Sequence, residues 1–284
     1  FQSIPNNPAM AADNCTPEVH PMFGAHPQVT GRNSPSVIGA VYFHKLFWDG
    51  RAHNKFNAND PFGDTGNAAL PAAICDHCAL ASQATGPIVN DVEMSCSGRA
   101  FNGPNSVAAK LLYRQPLAFQ VIDPTDSVLG PFVSNGGNGG NSGMFCDQNN
   151  QQPCTYQQLI DRAFFENVSG PNAVAQFSRI WGQAIQAYLT TLVADETPMD
   201  EFLLGNTRAL SPQQRAGFEI FRGKGGCFGC HAGAELSNAT ISAYEQFGSR
   251  SRDGQDTGFH NLGVRPAIED LGRGAAGPKG VMFQ

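Results

Sequence analysis

Charge is the first thing this chain lacks. Only 15% of its 284 residues are Asp, Glu, Lys or Arg, and the net charge is −6. No basic stripe suited to a phosphate backbone is present, so no nucleic acid is expected as a partner. Long apolar runs are missing too. No stretch approaches the roughly 20 residues that a membrane span needs, so no membrane span is expected. Strand-like alternation is rare, no short-period repeat occurs, and no Gly-rich loop of the phosphate-cradling kind is found.

Glycine, proline and asparagine are what the chain has in plenty, with 32 Gly and 19 Pro. That composition belongs to a loop-rich globular protein rather than a coiled coil or a disordered tail. The length suggests about two domains and is enough to bury a real core. Residues 1–36 read as loop. The apolar cluster Val37–Trp48 has no clean alternation and suits a short buried helix. Ser106 opens a helical pattern through Val107, Leu111 and Leu112 that ends near Gln115-Pro116. Gly136–Gly143 reads as a flexible loop or linker.

Helical signals strengthen towards the C-terminus. Tyr156–Phe165 is one amphipathic segment. Ala173–Val193 is a longer one, with Phe177, Ile180, Trp181, Ala184, Ile185 and Tyr188 recurring on one face. Ser211-Pro212 pairs an N-cap residue with proline at the first helical position. The helix it starts runs through Ala216, Phe218, Ile220 and Phe221 towards Gly225-Gly226. The expected fold is all-α and loop-rich.

Immediately after those glycines comes Cys227-Phe228-Gly229-Cys230-His231. C-x-x-C-H is the attachment signature of a c-type haem. The two thiols can add to the two vinyl groups of one porphyrin, and the adjacent imidazole then sits under the iron. A structural zinc site would want a second ligand pair at short spacing, and none follows. A redox pair has no need of the adjacent His. Cys227 and Cys230 are therefore read as thioether anchors and His231 as the axial iron ligand.

Six cysteines remain: Cys15, Cys75, Cys78, Cys96, Cys146 and Cys154. Cys146 and Cys154 flank a polar loop and can close a short bridge that restricts the unfolded chain. Cys75-Asp76-His77-Cys78 has haem-like cysteine spacing, but Ala79 stands where the His belongs. Cys75 and Cys78 are read as disulfide cysteines partnered with Cys96 or Cys15, with a non-standard haem attachment as the lesser alternative. Haem c and disulfides both point to an oxidising compartment, periplasmic or extracellular. The chain opens on Phe-Gln-Ser-Ile-Pro without a signal peptide, as a mature chain or a piece of a longer one.

A second sharp feature is Leu46-Phe47-Trp48-Asp49-Gly50-Arg51-Ala52, an aromatic turn with an Asp–Arg pair beside a tryptophan. Before it lies Thr30-Gly31-Arg32-Asn33-Ser34-Pro35-Ser36-Val37, and after it Gly86-Pro87-Ile88-Val89-Asn90-Asp91-Val92-Glu93-Met94. This ordered trio, with C-x-x-C-H downstream, resembles the bacterial di-haem cytochrome c peroxidases, a superfamily that includes methylamine-utilisation di-haem enzymes. The resemblance covers roughly residues 19–125 and 156–270. It implies two cytochrome c-like domains with long irregular insertions at 53–80 and 130–155. The first would span 1–155 and the second 156–284.

The resemblance further implies a peroxidatic haem in the first domain and an electron-receiving haem in the second. Trp48 occupies the position of a tryptophan between the haems, either a buried electron relay or a packing residue. Glu93 matches a carboxylate beside the peroxide pocket, where a proton must move from one peroxide oxygen to the other. Val89 stands where the family often has Gln, which removes a polar neighbour. His26, with His20 as rival, lies near a histidine that caps the peroxidatic iron in some members. Asn33 matches an Asn that helps bind an interdomain calcium.

Two family features have no counterpart. A first-domain C-x-x-C-H belongs upstream of residue 1. The sixth ligand of the second haem belongs beyond Phe259–Val264, where only His260 and Met282 are near. The economical expectation is an internal portion of a longer di-haem protein; the alternative is a mono-haem descendant. Three roles follow: reduction of hydrogen peroxide with electrons from a small redox protein, electron transfer alone within a larger assembly, or a scaffold role for the first domain. Assembly into a homo-oligomer is left open.

Overall fold

The computed structural model describes residues 34–63, 72–90, 93–95, 98–103, 106–116, 123, 125–127, 145–147, 152–164, 171–248, 257–269 and 271–274. Regular structure among them is helical and joined by long loops, with one two-stranded hairpin. No helix among the described residues is long and apolar enough to cross a membrane. The chain divides into two compact units that interleave along the sequence. The first takes 1–31 and 87–180, the second 32–86 and 181–284.

In the first unit, α2 (Val107–Leu111) begins at Ser106, whose side chain accepts from the Ala109 N–H. Helix α3 (Tyr156–Ala163) carries a capping box: Thr155 accepts from the Gln158 N–H, and the Gln158 side chain accepts from the Thr155 N–H. The Tyr156 and Gln157 N–H groups donate to Arg114 and Leu112 carbonyls, each at 2.9 Å, which ties the start of α3 to the end of α2. Strands β1 (Phe145–Asp147) and β2 (Gln152–Pro153) pair antiparallel. The Cys146–Cys154 disulfide joins the hairpin, as the loop between those cysteines suggested. Val107, Ala108, Leu112, Ile160, Phe177 and Ile180 are buried in this unit. The turn at Asn90–Ser95 is held by three N–H groups that converge on the Asn90 carbonyl, and it leaves Glu93 half-buried.

In the second unit, α1 (Ala79–Ala84) packs with the last turns of α4 (Pro171–Leu189), whose earlier turns belong to the first unit. Phe56, Cys78 and Ala81 form one buried cluster, and Ala40, Leu46, Ala52, Leu80 and Leu189 contribute to another. Gly182 makes the seam possible: a Cβ there would meet Phe56 Cζ at 2.7 Å and the Ala81 carbonyl oxygen at 3.0 Å. Trp181 Nε1 donates to the Ala84 carbonyl at 3.0 Å. Helices α5 (Pro198–Leu203) and α6 (Pro212–Arg222) both open with a capping box and a proline in the first turn, and α7 (Ile241–Phe247) follows.

The apolar stretch Val37–Trp48 is not the expected helix. It forms a single 3-10 turn, Ala40–Tyr42. Gly39 before it is left-handed, with φ 69°, and Phe43 after it is extended. The backbone there bridges instead to Thr240, far along the chain, from Phe43, and closes a local turn from Leu46 to Ala52. Cys75 and Cys78 are joined to each other rather than to Cys96 or Cys15. Cys15, Cys96 and the Gly136–Gly143 segment lie outside the described residues.

Candidate cofactor site at Cys227, Cys230 and His231

Helix α6 aims the site. Ser211 caps its start, where the Gln214 N–H donates to Ser211 Oγ at 3.3 Å and the Ser211 N–H donates to Gln214 Oε1 at 2.8 Å. Its end is a sharp turn that only glycine fits. The Gly225 N–H donates to the Ile220 carbonyl at 2.7 Å, and a Cβ on Gly225 would meet that oxygen at 2.7 Å. Gly226 is left-handed at φ 68°. The chain then enters the 3-10 turn Cys227–Gly229. The Cys230 and His231 N–H groups donate to the Cys227 carbonyl at 3.2 and 2.9 Å. Both cysteines and the imidazole are thereby presented by one turn. Both thiols are free and exposed.

His231 Nδ1 lies 3.0 Å from the Leu236 carbonyl oxygen. A carbonyl can only accept, so the proton is on Nδ1 and the Nε2 lone pair is left available. This is how a metal-ligating histidine is ordinarily oriented. The Asn238 N–H donates to the Cys230 carbonyl at 3.0 Å, and the Asn238 side chain meets His260 Nε2 at 3.0 Å. These bonds tie the cysteine turn to the segment around Phe259.

Cys230 and His231 line a cavity of about 960 Å³ within the second unit. One side is furnished by Phe43, Leu46, Phe47 and Trp48, another by Phe259 and Leu262. Large apolar side chains stand open to this space. Trp48 is 51% exposed, and Ile38, Val264 and Leu271 are exposed as well. Exposed apolar surface concentrated around a concavity marks a binding site for an apolar group. Lys45, Arg265 and Arg273 also line it, so the cavity can meet an anionic edge. Arg273 stacks over the Phe259 ring at 4.9 Å, and Arg265 pairs with Glu269.

The turn that carries Trp48 is strained and braced. Phe47 is left-handed at φ 71°, rare for a bulky side chain. Asp49, almost fully buried, receives Arg51 through Nε at 2.9 Å and Nη2 at 2.5 Å, the Asp–Arg pair read from the sequence. The Gly50 N–H donates to the Phe47 carbonyl at 3.0 Å. The indole itself is not enclosed by protein: it borders the cavity.

The donor set fits a covalently attached porphyrin. Two free thiols, an imidazole with Nε2 available and a large apolar cavity meet at one turn. The structure thus brings Trp48, Cys230 and His231 to a common cavity, with Cys227 on the same turn. Glu93 belongs to the other compact unit. His26, Asn33, His20 and Met282 lie outside the described residues, and His260 is bonded to Asn238. Among the described residues no group of three or more His, Cys, Asp or Glu side chains could hold a free metal ion.

Sequence reading missed Phe47, Arg265, Arg273 and Asn238 as parts of this cavity. Only a Gly in the third position after Phe47 hinted at the tight turn. Nothing local pointed to the two arginines. A buried pair also went unread. His44 stacks on Tyr244 with ring centroids 3.5 Å apart, and burial is the main cause that lowers its pKa to about 4.

Comparison with known proteins is consistent in direction. Over 217 residues the chain is 27% identical to cytochrome c551 peroxidase from Pseudomonas aeruginosa, covering 76% of this chain and 40% of that one. It is 49% identical over 63 residues to cytochrome-c peroxidase IdrP2 from Denitromonas iodatirespirans, 22% of this chain and 17% of the relative. It is 32% identical over 98 residues to methylamine utilization protein MauG from Methylorubrum extorquens, 34% and 22% of the two chains. The chain thus spans well under half the length of these relatives. No solved structure matches it. The family model for di-haem cytochrome c peroxidase matches residues 10–208, and the chain belongs to that family.

Proposed function

We propose that this chain is part of a di-haem enzyme that reduces hydrogen peroxide, with electrons entering through a haem c on Cys227, Cys230 and His231. One observation carries the reading: two free thiols and an oriented imidazole on one turn, facing a large apolar cavity that Trp48 also lines. Bound there, a haem supplies one-electron redox chemistry.

The chain's own residues supply the rest. His231 donates Nε2, and the Leu236 carbonyl keeps its ring fixed. The apolar walls exclude water. Lys45 and Arg273, which line the cavity, would offer charge to the carboxylates of a bound porphyrin. Trp48 is the relay through which an electron leaves the cavity. Glu93 would take a proton from one peroxide oxygen and return it to the other as the O–O bond breaks, and two electrons and two further protons would release both oxygens as water. Two cytochrome c-like domains, at 1–155 and 156–284, each served by one haem, complete the reading, with the second haem on the first domain. His26 as its displaceable ligand, calcium at Asn33, a small redox protein as donor and a periplasmic or extracellular setting belong to the same proposal.

A second reading is electron transfer alone, which needs only the site formed by Cys227, Cys230 and the oriented His231 imidazole. A pyridine haemochrome assay on the native protein, with optical spectra before and after peroxide, separates the two. The enzyme reading expects haem bound to Cys227 and Cys230, a spectral response to peroxide, and loss of that response in Glu93→Gln. A spectrum indifferent to peroxide leaves the carrier. If His231→Ala keeps the wild-type spectrum, the cofactor site itself is misplaced.

A further inference from the structure

We propose that Cys75 and Cys78 form a second redox site, a reversible disulfide that exchanges with an incoming dithiol. Cys75-Asp76-His77-Cys78 has the C-x-x-C spacing of thiol–disulfide exchange sites, and the structure bridges the two sulfurs. The site is separate from the free thiols of Cys227 and Cys230.

The two sulfurs are unequal. Cys75 is half-buried, whereas Cys78 is only 4% exposed. An incoming thiolate therefore reaches Cys75 Sγ, and Cys78 Sγ is the leaving group. Negative charge develops on Cys78, and a donor already waits there: Gln186 Nε2 lies 3.3 Å from that sulfur. A hydrogen bond to a charged acceptor is stronger than one to a neutral acceptor, so this amide favours departure. Gln186 is itself anchored, since its Oε1 accepts from the Ala81 N–H at 2.9 Å.

The segment does not depend on the bridge for its shape. The Phe56 N–H donates to the Cys75 carbonyl and the Ile74 N–H to the Phe56 carbonyl, each at 2.8 Å. The Cys78 N–H donates to the Asn54 carbonyl at 2.7 Å. Between them, the Asp76 carboxylate accepts from Asn54 Nδ2 at 2.6 Å and from the His77 N–H at 2.8 Å. His77 also faces Glu245 at 3.3 Å. Reduction thus leaves two thiols held face to face, and their reoxidation is intramolecular.

The exchange balances. One thiolate of the incoming dithiol attacks Cys75 Sγ, the Cys75–Cys78 bond breaks, and Cys78 leaves as a thiolate that takes up a proton. The second thiolate of the incoming dithiol then attacks its own sulfur in the mixed disulfide, and Cys75 leaves and is protonated. Two electrons and two protons pass to this chain, and the dithiol departs as a disulfide.

The test uses the native full chain in dithiothreitol buffers of graded reduced-to-oxidised ratio, quenched with acid, trapped with N-ethylmaleimide and mapped by peptide mass. Cys75 and Cys78 are expected to take up label together at a ratio that leaves Cys146 and Cys154 unlabelled, with circular dichroism unchanged and the bridge re-formed on reoxidation. Gln186→Leu, shown to be folded by the same circular dichroism, is expected to slow reduction roughly tenfold. The proposal is overturned by label that enters Cys75 and Cys78 only when Cys146 and Cys154 also open, by a mass map that pairs Cys75 with Cys15 or Cys96, or by an unchanged rate in folded Gln186→Leu.

Discussion

Phe56 and Leu262 are both large apolar side chains of the second unit, and they meet opposite fates. Phe56 is fully enclosed, between Gly182, Ala81 and Cys78, with no space for one added methyl group. Leu262 is 67% exposed on the wall of the His231 cavity. Protein atoms alone complete the first region. In the second, the chain presents apolar surface, two free thiols and an oriented imidazole to open space. The difference shows where the polypeptide supplies its own packing and where it is shaped to receive something else.

That contrast can be broken by mutation. Phe56→Ala is expected to destabilise the protein by about 3–5 kcal/mol, as for a fully buried aromatic, read by urea unfolding. A loss below about 1 kcal/mol would show the seam to be loose and would end the comparison.

Acid tests the same closed side. His44 is buried against Tyr244, and burial first, then the nearby charges of Lys45 and His77, hold its pKa near 4, below the usual 6.5; Asp76 opposes them. Between those values the unfolded chain binds the proton and the folded chain does not, so stability rises with pH across the window. The stabilisation is present above pH 6.5 and is lost as pH falls towards 4, by on the order of 3 kcal/mol. Melts from pH 7 to 4.5 should show this slope, and His44→Gln should flatten it. The smallest effect belongs to the open side. Leu262→Ala, measured in protein free of porphyrin, should change stability by no more than roughly 0.5 kcal/mol. A loss comparable to that of Phe56→Ala would mean that the cavity wall is ordinary core.

Legibility in the sequence followed the range of the interactions. Helix α6 and its cap were readable because Ser211, Pro212 and Gln214 act within one turn. The long periodic face of α4 was readable for the same reason. Helices α1, α5 and α7, six or seven residues long, went unread, whereas the five-residue α2 was read through its Ser106 cap, so for short helices a cap carries more signal than a period. Thr197, Pro198 and Asp200 were a usable signal for α5, since they form its capping box. Val37–Trp48 was misread because an apolar run without period does not declare its partner, and Phe43 pairs with Thr240 far along the chain.

The turn at Cys227–His231 shows the same division. Cys227, Cys230 and His231 were evident from spacing, because five consecutive residues fix both the thiols and the imidazole. Trp48 was singled out only through resemblance, and its exposure was unforeseen. The pairing of Cys75 with Cys78 was open until the backbone bonds of Asn54 and Phe56 set their positions.

By itself the sequence determined the helical, loop-rich character and the thiol–thiol–imidazole turn, since each rests on residues close together in the chain, and the membership of a family, which rests on short motifs in a fixed order. Only the tertiary structure decided that Phe47 and Trp48 face the same cavity as His231, that the Leu236 carbonyl fixes the imidazole proton, and which cysteines meet. Trp48 and His231 share a cavity because segments nearly two hundred residues apart are joined, as Phe43 is to Thr240, while the His231–Leu236 bond and the Cys75–Cys78 bridge turn on how the backbone between near neighbours is folded, which residue type alone does not carry.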